Sequence, residues 1–183
     1  MRVIAGSARS VPLMTPEGFE TRPTQDRIKE TLFNMIQLEV PGCRFLDLFA
    51  GSGQIGIEAL SRGARHAVLV DSDKKCAGCI RANLAKTKLS DKATFVQKQI
   101  PAALFQVKNE GPFDIIFMDP PYFVHNEEEV LKGIADNELL SDQGIVIIEM
   151  EKDRNLTFIE DSGFTVRRVK QYKTNQHVFL EKK

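Results

Sequence analysis

From Arg44 onward, five short runs rich in β-branched and aromatic residues alternate with helical patterns, and this alternation leaves few folds open. The strand-like runs are Arg44–Leu48, His66–Asp71, Ala93–Gln97, Asp114–Asp119 and Gly144–Glu149. Helical spacing fills the gaps at Gln54–Arg62, Lys74–Lys88, Ala102–Val107 and Glu127–Asn137. Strands that are apolar throughout need cover on both faces, and helix-length connections make neighbouring strands run parallel. The order predicts an α/β fold with helices on both sides of a parallel sheet. The tail changes character. Phe164–Lys170 and Gln176–Glu181 flank Tyr172-Lys173-Thr174-Asn175 as an antiparallel pair does. The expectation is a Rossmann-like, mixed seven-stranded sheet ending in an antiparallel hairpin.

Some forty residues precede this core. Arg2–Gly6 and Pro12–Thr15 read as short strands with Glu17-Gly18 as a turn. Thr24 reads as the N-cap of a helix reaching about Leu38, with Ile28, Leu32, Phe33 and Ile36 on one face. At 183 residues the chain is expected to be one domain, residues 1–40 packing as an extension on a 41–183 core. No apolar run approaches membrane-spanning length, and Met1–Gly6 is too short for a signal sequence, which points to a cytoplasmic protein without a membrane partner. Three cysteines suit a reducing compartment. Cys76 and Cys79 form a C-x-x-C, but inside a helical pattern and without a second pair, so packing is expected rather than a metal site. The net charge is zero, with no global basic footprint for nucleic acid. Arg167, Arg168, Lys170 and Lys173 in the tail, and Glu127, Glu128 and Glu129, read as solvated surface.

The first strand runs into Asp47-Leu48-Phe49-Ala50-Gly51-Ser52-Gly53-Gln54-Ile55-Gly56, which satisfies G-x-G-x-x-G. Asp71 ends the next strand twenty positions after Gly51, where a ribose-binding acid belongs, with Ser72 beside it. Such a loop serves a dinucleotide or S-adenosylmethionine alike, since both bring a ligand to backbone N–H groups at a helix start. Asp47 separates the two. It lies inside the strand, four positions before the first glycine, between two leucines. A carboxylate there suits the ammonium of a methionine moiety and would repel a pyrophosphate. The candidate cofactor residues are Asp47, Phe49, Ala50, Gly51, Ser52, Gly53, Asp71 and Ser72. At the end of the third strand Gln99 is placed to accept from the adenine amino group, and Ile100 to lie against the adenine face.

Asp119-Pro120-Pro121-Tyr122 follows the fourth strand. An aryl amine is a poor nucleophile because its lone pair is delocalised into the ring. If the Asp119 carboxylate and the Pro120 carbonyl both accept its hydrogens, the nitrogen is drawn toward tetrahedral geometry and its lone pair can face a sulfonium methyl. Two acceptors also stabilise the positive charge growing on nitrogen. Prolines fix φ and remove competing donors. Tyr122, or Phe123 beside it, can stack on the base. The residues point to methylation of an exocyclic or amide NH2. Adenine N6, guanine N2 and a glutamine side chain stay open, as does a catalytically silent cofactor- or nucleotide-binding module.

Met1-Arg2-Val3-Ile4-Ala5-Gly6, and above all Thr21-Arg22-Pro23-Thr24-Gln25-Asp26-Arg27-Ile28-Lys29-Glu30-Thr31-Leu32-Phe33-Asn34, resemble the N-terminal signature of the RsmD family, bacterial 16S ribosomal RNA guanine-N2 methyltransferases. The likeness continues through Asp47–Gly56 and Asp119–Tyr122. It implies a class I S-adenosylmethionine-dependent methyltransferase fold with an N-terminal hairpin and helix that cap the cofactor. It also implies that Thr24 and Arg27 lie near the methionine end or the target base, that Asp119–Tyr122 holds guanine, and that Arg2, Arg9 and Arg22 touch phosphates. Gln99 departs from the aspartate usual in that family, replacing a charged acceptor by a neutral one. The neutral net charge favours recognition within a protein-bearing 30S particle over naked RNA.

Overall fold

The computed structural model describes residues 1–16, 23–121 and 126–183, with the side chains of residues 23–25 outside that description. After helix α1 (Pro23–Met35) the chain runs β1 (Arg44–Leu48), α2 (Gln54–Ser61), β2 (His66–Asp71), α3 (Lys74–Thr87), β3 (Ala93–Gln97), α4 (Ala102–Val107), β4 (Phe113–Met118), α5 (Glu127–Asp136), β5 (Leu140–Glu151), β6 (Phe164–Gln171) and β7 (Asn175–Lys182). One seven-stranded sheet has the order β3-β2-β1-β4-β5-β7-β6. The first five strands pair parallel; β7 pairs antiparallel with both β5 and β6. The expected mixed sheet and its closing hairpin are both present. Strand order reverses between β1 and β4, and in such sheets ligands bind outside the carboxyl ends at that reversal.

Strand alternation sorts the core into two layers. Phe45, Leu69, Phe117 and Ile147 pack with Leu32 and Phe33 of α1, Ile57 of α2 and Ile80 of α3. Leu46, Leu48, Val68, Ile116 and Ile148 pack on the other face with Leu104 of α4 and Val130, Leu131 and Ile134 of α5. Every second residue of β1 and β4 therefore faces α1–α3, and Asp47 belongs to that set.

Several boundaries differ from the sequence reading. Helix α1 starts at Pro23 rather than after a Thr24 cap, since proline is preset for the first helical position. It ends at Met35, short of Leu38; Glu39 N donates to the Ile36 carbonyl in a turn that leaves Leu38 87% exposed. Strand β5 begins at Leu140, four residues early, through a register irregularity between Phe113 and Ile115. The two leader strands reduce to one antiparallel bridge, Arg2 to Pro12. Val3 N still donates to the Val11 carbonyl at 3.0 Å and Leu13 N to the Met1 carbonyl at 3.1 Å, but the residues that follow Val3 turn to α2. Ile4 N and Ala5 N donate to the Glu58 carboxylate at 2.8 and 3.1 Å, and Ala8 N donates to Ser61 Oγ at 2.9 Å. The turn expected at Glu17-Gly18 lies outside the described residues.

The leader is thus bolted to α2 by a buried polar knot. Glu58, fully buried, also lies 3.6 Å from Lys29 Nζ and 2.7 Å from Arg62 Nε. Lys29 donates in turn to the Arg2 carbonyl at 2.7 Å. A second bolt is Asn83 of α3. Its side chain accepts from Met14 N and donates to the carbonyls of Met14 and Ser52, joining leader to glycine loop. Cys76 and Cys79 are buried free thiols on α3, packed as expected. No helix among the described residues is long and apolar enough to cross a membrane.

Candidate active site

The loop after β1 is held by two carboxylates. Asp47 Oδ2 accepts from Gly56 N at 2.8 Å, and Asp71 Oδ2 accepts from Gly51 N at 2.7 Å. Gly56 is required there: a Cβ would sit 2.9 Å from Leu69 Cγ and 3.3 Å from Asp47 Oδ2. Without that approach α2 could not lie on β2. Phe49 has φ 63°, the left-handed region, at the first residue past β1. A bulky residue held so is strained, and strain of this kind collects at ligand sites. Burial, partly offset by the Gly56 N–H and reinforced by nearby Asp71, pushes the Asp47 carboxyl up to about 7. A cation arriving beside it would restore the charged form.

The other expected cofactor residues distribute around this loop. Ala50 and Ser52 are buried, Ala50 N donating to the Val70 carbonyl and Ser52 Oγ lying 3.6 Å from Met1 Sδ. Gly53 is the left-handed cap of α2, and Ser72 is exposed beside Asp71. Gln99 is exposed between β3 and α4, while Ile100 is buried in the α4–α5 layer. Arg27 is exposed and lines a cavity of about 230 Å³ with Ile28, Thr31 and the turn Tyr172-Lys173-Thr174-Asn175. Arg2 and Arg9 are exposed on the leader, Arg2 3.9 Å from Asp26. The Thr24 side chain, Arg22, Tyr122 and Phe123 lie outside the described residues.

Register brings the second half of the site together. Leu48 pairs with Met118 and Met118 with Ile148, so Asp119 emerges beside the end of β1 on one side and Glu149 on the other. Glu149 pairs across to His177 of β7. By alternation Asp47, Asp119, Glu149 and His177 all face α1–α3. Pro120 is buried and Pro121 exposed. Asp119 is deep within the protein mass yet its own surface is open at the strand ends. Burial first, then Glu149 and Asp47, push its carboxyl upward. Water reaching that open surface relieves part of this push, which acts fully only once a ligand closes the site.

Sequence reading missed the neighbours of Asp119. Glu149 Oε1 accepts from Asn175 Nδ2 at 2.5 Å, and Glu149 Oε2 lies 3.1 Å from His177 Nε2. His177 Nδ1 lies 3.1 Å from the Tyr172 hydroxyl. No local motif announces this set, because its members come from β5, from β7 and from the turn before β7, joined only by cross-strand register. Gln54, just past the glycine loop, holds a buried Oε1 without a partner among the described residues. Among those residues no cluster of His, Cys, Asp and Glu could hold a metal ion. The arrangement offers a cation-binding carboxylate and a hydrogen-bond-accepting one at adjacent strand ends, which suits alignment of an electrophile bearing an ammonium with an NH2 nucleophile.

Comparison with known proteins agrees on the fold. A family model described as "Conserved hypothetical protein 95" matches residues 1–181. A putative rRNA methyltransferase, YlbH of Bacillus subtilis, is 40% identical over 157 residues, 85% of each chain. A ribosomal RNA small subunit methyltransferase D of Haemophilus influenzae is 36% identical over 85% of this chain and 81% of its own. The solved structure of a putative methyltransferase, yhhF of Escherichia coli, superposes with TM-score 0.83 at 31% identity, covering 100% of this chain and 98% of that one.

Proposed function

The chain belongs to the family described as Conserved hypothetical protein 95, the RsmD family, and from that premise we propose that it methylates the exocyclic N2 amine of a guanine in 16S ribosomal RNA. Its fold is that of the class I S-adenosylmethionine-dependent methyltransferases. The observation that carries the reading is the emergence of Asp119-Pro120-Pro121 from β4 directly beside the β1 loop that holds Asp47 and Gly51.

S-adenosylmethionine supplies a methyl group on a sulfonium. The residues suit it: Asp47 answers its ammonium, Asp71 its ribose hydroxyls, and Gly51 and Gly53 let the backbone approach. Gln99 and Ile100 would flank the adenine, and Thr24 and Arg27 would close over the methionine end or the base. Asp119 and the Pro120 carbonyl orient the amine, while Tyr122 and Phe123 stack on the base. With S-adenosylmethionine held there, the N2 lone pair would form the new N–C bond as the S–CH3 bond breaks, the pair from the broken bond staying on sulfur as a thioether. The ammonium product then loses one proton to Asp119 or to water. Much of the rate comes from holding nitrogen, carbon and sulfur in line.

Arg2, Arg9 and Arg22 are proposed phosphate contacts, and the substrate is proposed to be the 30S subunit or an assembly intermediate, in the cytoplasm and without a metal. The decisive experiment is nucleoside mass spectrometry of 16S RNA from cells lacking this gene. One N2-methylguanosine should disappear and return on complementation; an unchanged content removes the reading. Calorimetry separates the cofactors, with S-adenosylmethionine binding and NAD not.

A further inference from the structure

We infer that Glu149 selects guanine, its carboxylate accepting the ring N1–H while Asp119 and the Pro120 carbonyl accept from the N2 amine. This rests on the methyltransferase reading above and adds the residue that chooses the base. In guanine the ring nitrogen beside the reactive amine carries hydrogen; in adenine, with N6 placed at Asp119, the corresponding nitrogen presents a lone pair. An ionised carboxylate only accepts. It bonds the first base and repels the second. Sites built to hydrogen-bond a donor reject analogues lacking it by about 10⁴-fold.

The geometry supports this. Glu149 follows Asp119 across the β4–β5 register and faces the same side. Asn175 Nδ2 and His177 Nε2 each hold one of its oxygens, leaving each oxygen a further acceptor site among the described residues. Its anchors are sealed while it is not: His177 is fully buried, whereas the Glu149 side chain is 19% exposed. His177 is fixed in turn by edge-on contacts with Phe117 and Tyr172, at ring separations of 6.1 and 5.1 Å. A carboxylate only accepts, so the tautomer with hydrogen on His177 Nε2 satisfies Glu149 and leaves Nδ1 to accept from the Tyr172 hydroxyl, which burial and then Glu149 push up to about 12. Tyr172 and Asn175 also line the cavity of about 230 Å³ under α1, together with Arg27, Ile28, Thr31, Lys173 and Thr174. The buried Asn175 Oδ1 has no partner among the described residues.

The test uses 30S particles rebuilt from RNA of cells lacking the gene, with the mapped position carrying guanosine or 2-aminopurine riboside. The latter keeps the N2 amine and lacks the N1 hydrogen. Wild-type protein should methylate guanosine at least 100-fold faster in kcat/KM, and comparable rates on the two would overturn the assignment without touching the proposed function. Glu149→Gln, whose amide can donate, should lose about 10- to 100-fold on guanosine, gain on 2-aminopurine, and keep its affinity for S-adenosylhomocysteine. A wild-type preference preserved in that variant would equally sink the role of Glu149. A wild-type protein inactive on guanosine overturns the proposed function and this inference together.

Discussion

Asp47 carries a conflict that only a ligand resolves. An unfolded aspartate titrates near 3.8, and burial moves this one to about 7. Between those values the folded state holds the extra proton, so stability falls as pH rises through that window and levels off above it. The displacement corresponds to on the order of 4 kcal/mol. Asp47→Asn keeps an acceptor for Gly56 N and removes the buried charge. Its melting temperature should fall less than wild type's between pH 5 and 8, while S-adenosylmethionine affinity drops at least tenfold; thermal scans and calorimetry at several pH values check both. Binding near pH 7 should release a proton from wild type and not from the variant. The proposed role of Asp119 differs, because it would act in the transition state. Asp119→Ala should lose about 10²–10³ in kcat, the usual cost of one oriented group, with cofactor affinity nearly unchanged. A matching loss of cofactor binding would place Asp119 in the wrong half of the site.

The leader shows how an element can be legible as a segment and not as a structure. Arg2–Gly6 and Pro12–Thr15 alternate like strands, yet their ladder stops after the bonds around the Arg2–Pro12 bridge, and Glu58 and Ser61 of α2 take over. The replacement needs close approach: at Gly6, φ 85°, a Cβ would fall 1.8 Å from the Ser61 carbonyl oxygen. Gly6→Ala should therefore detach the leader, seen as protease cleavage within residues 1–22 of the variant before wild type is cut. Glu58→Ala leaves Lys29 buried without its partner and two leader N–H groups unanswered. Breaking a buried pair in this way costs about 3–5 kcal/mol, measurable by urea unfolding. Helix α1 was readable from its apolar face, which includes Leu32 and Phe33, but its end was not. That end is set by where the chain must turn to enter β1, not by any glycine or cap.

At the scale of the whole molecule, zero net charge gives no long-range pull toward RNA. Arg167, Arg168 and Lys170 lie on β6, the exposed edge strand, where the two arginines also discourage pairing with another sheet. Methylation of protein-free 16S RNA should accordingly be at least tenfold slower than of 30S particles at physiological salt, in a filter assay with labelled methyl donor. Equal rates would remove the particle preference. The order of elements, the glycine loop with Asp47 and Asp71, and Asp119-Pro120-Pro121 were all readable in advance, because each is a short-range pattern of periodicity or spacing. Glu149, His177, Tyr172, Asn175 and the Glu58 knot were not. They are joined by cross-strand register or across separate elements, a relation that linear spacing does not encode. The sequence by itself determined the parallel sheet and which residues stand at two strand ends, since burial and backbone constraints act locally. Only the tertiary structure decided which side chains stand beside Asp119, because that depends on how β5 and β7 slide against β4, which is fixed by packing of the whole core.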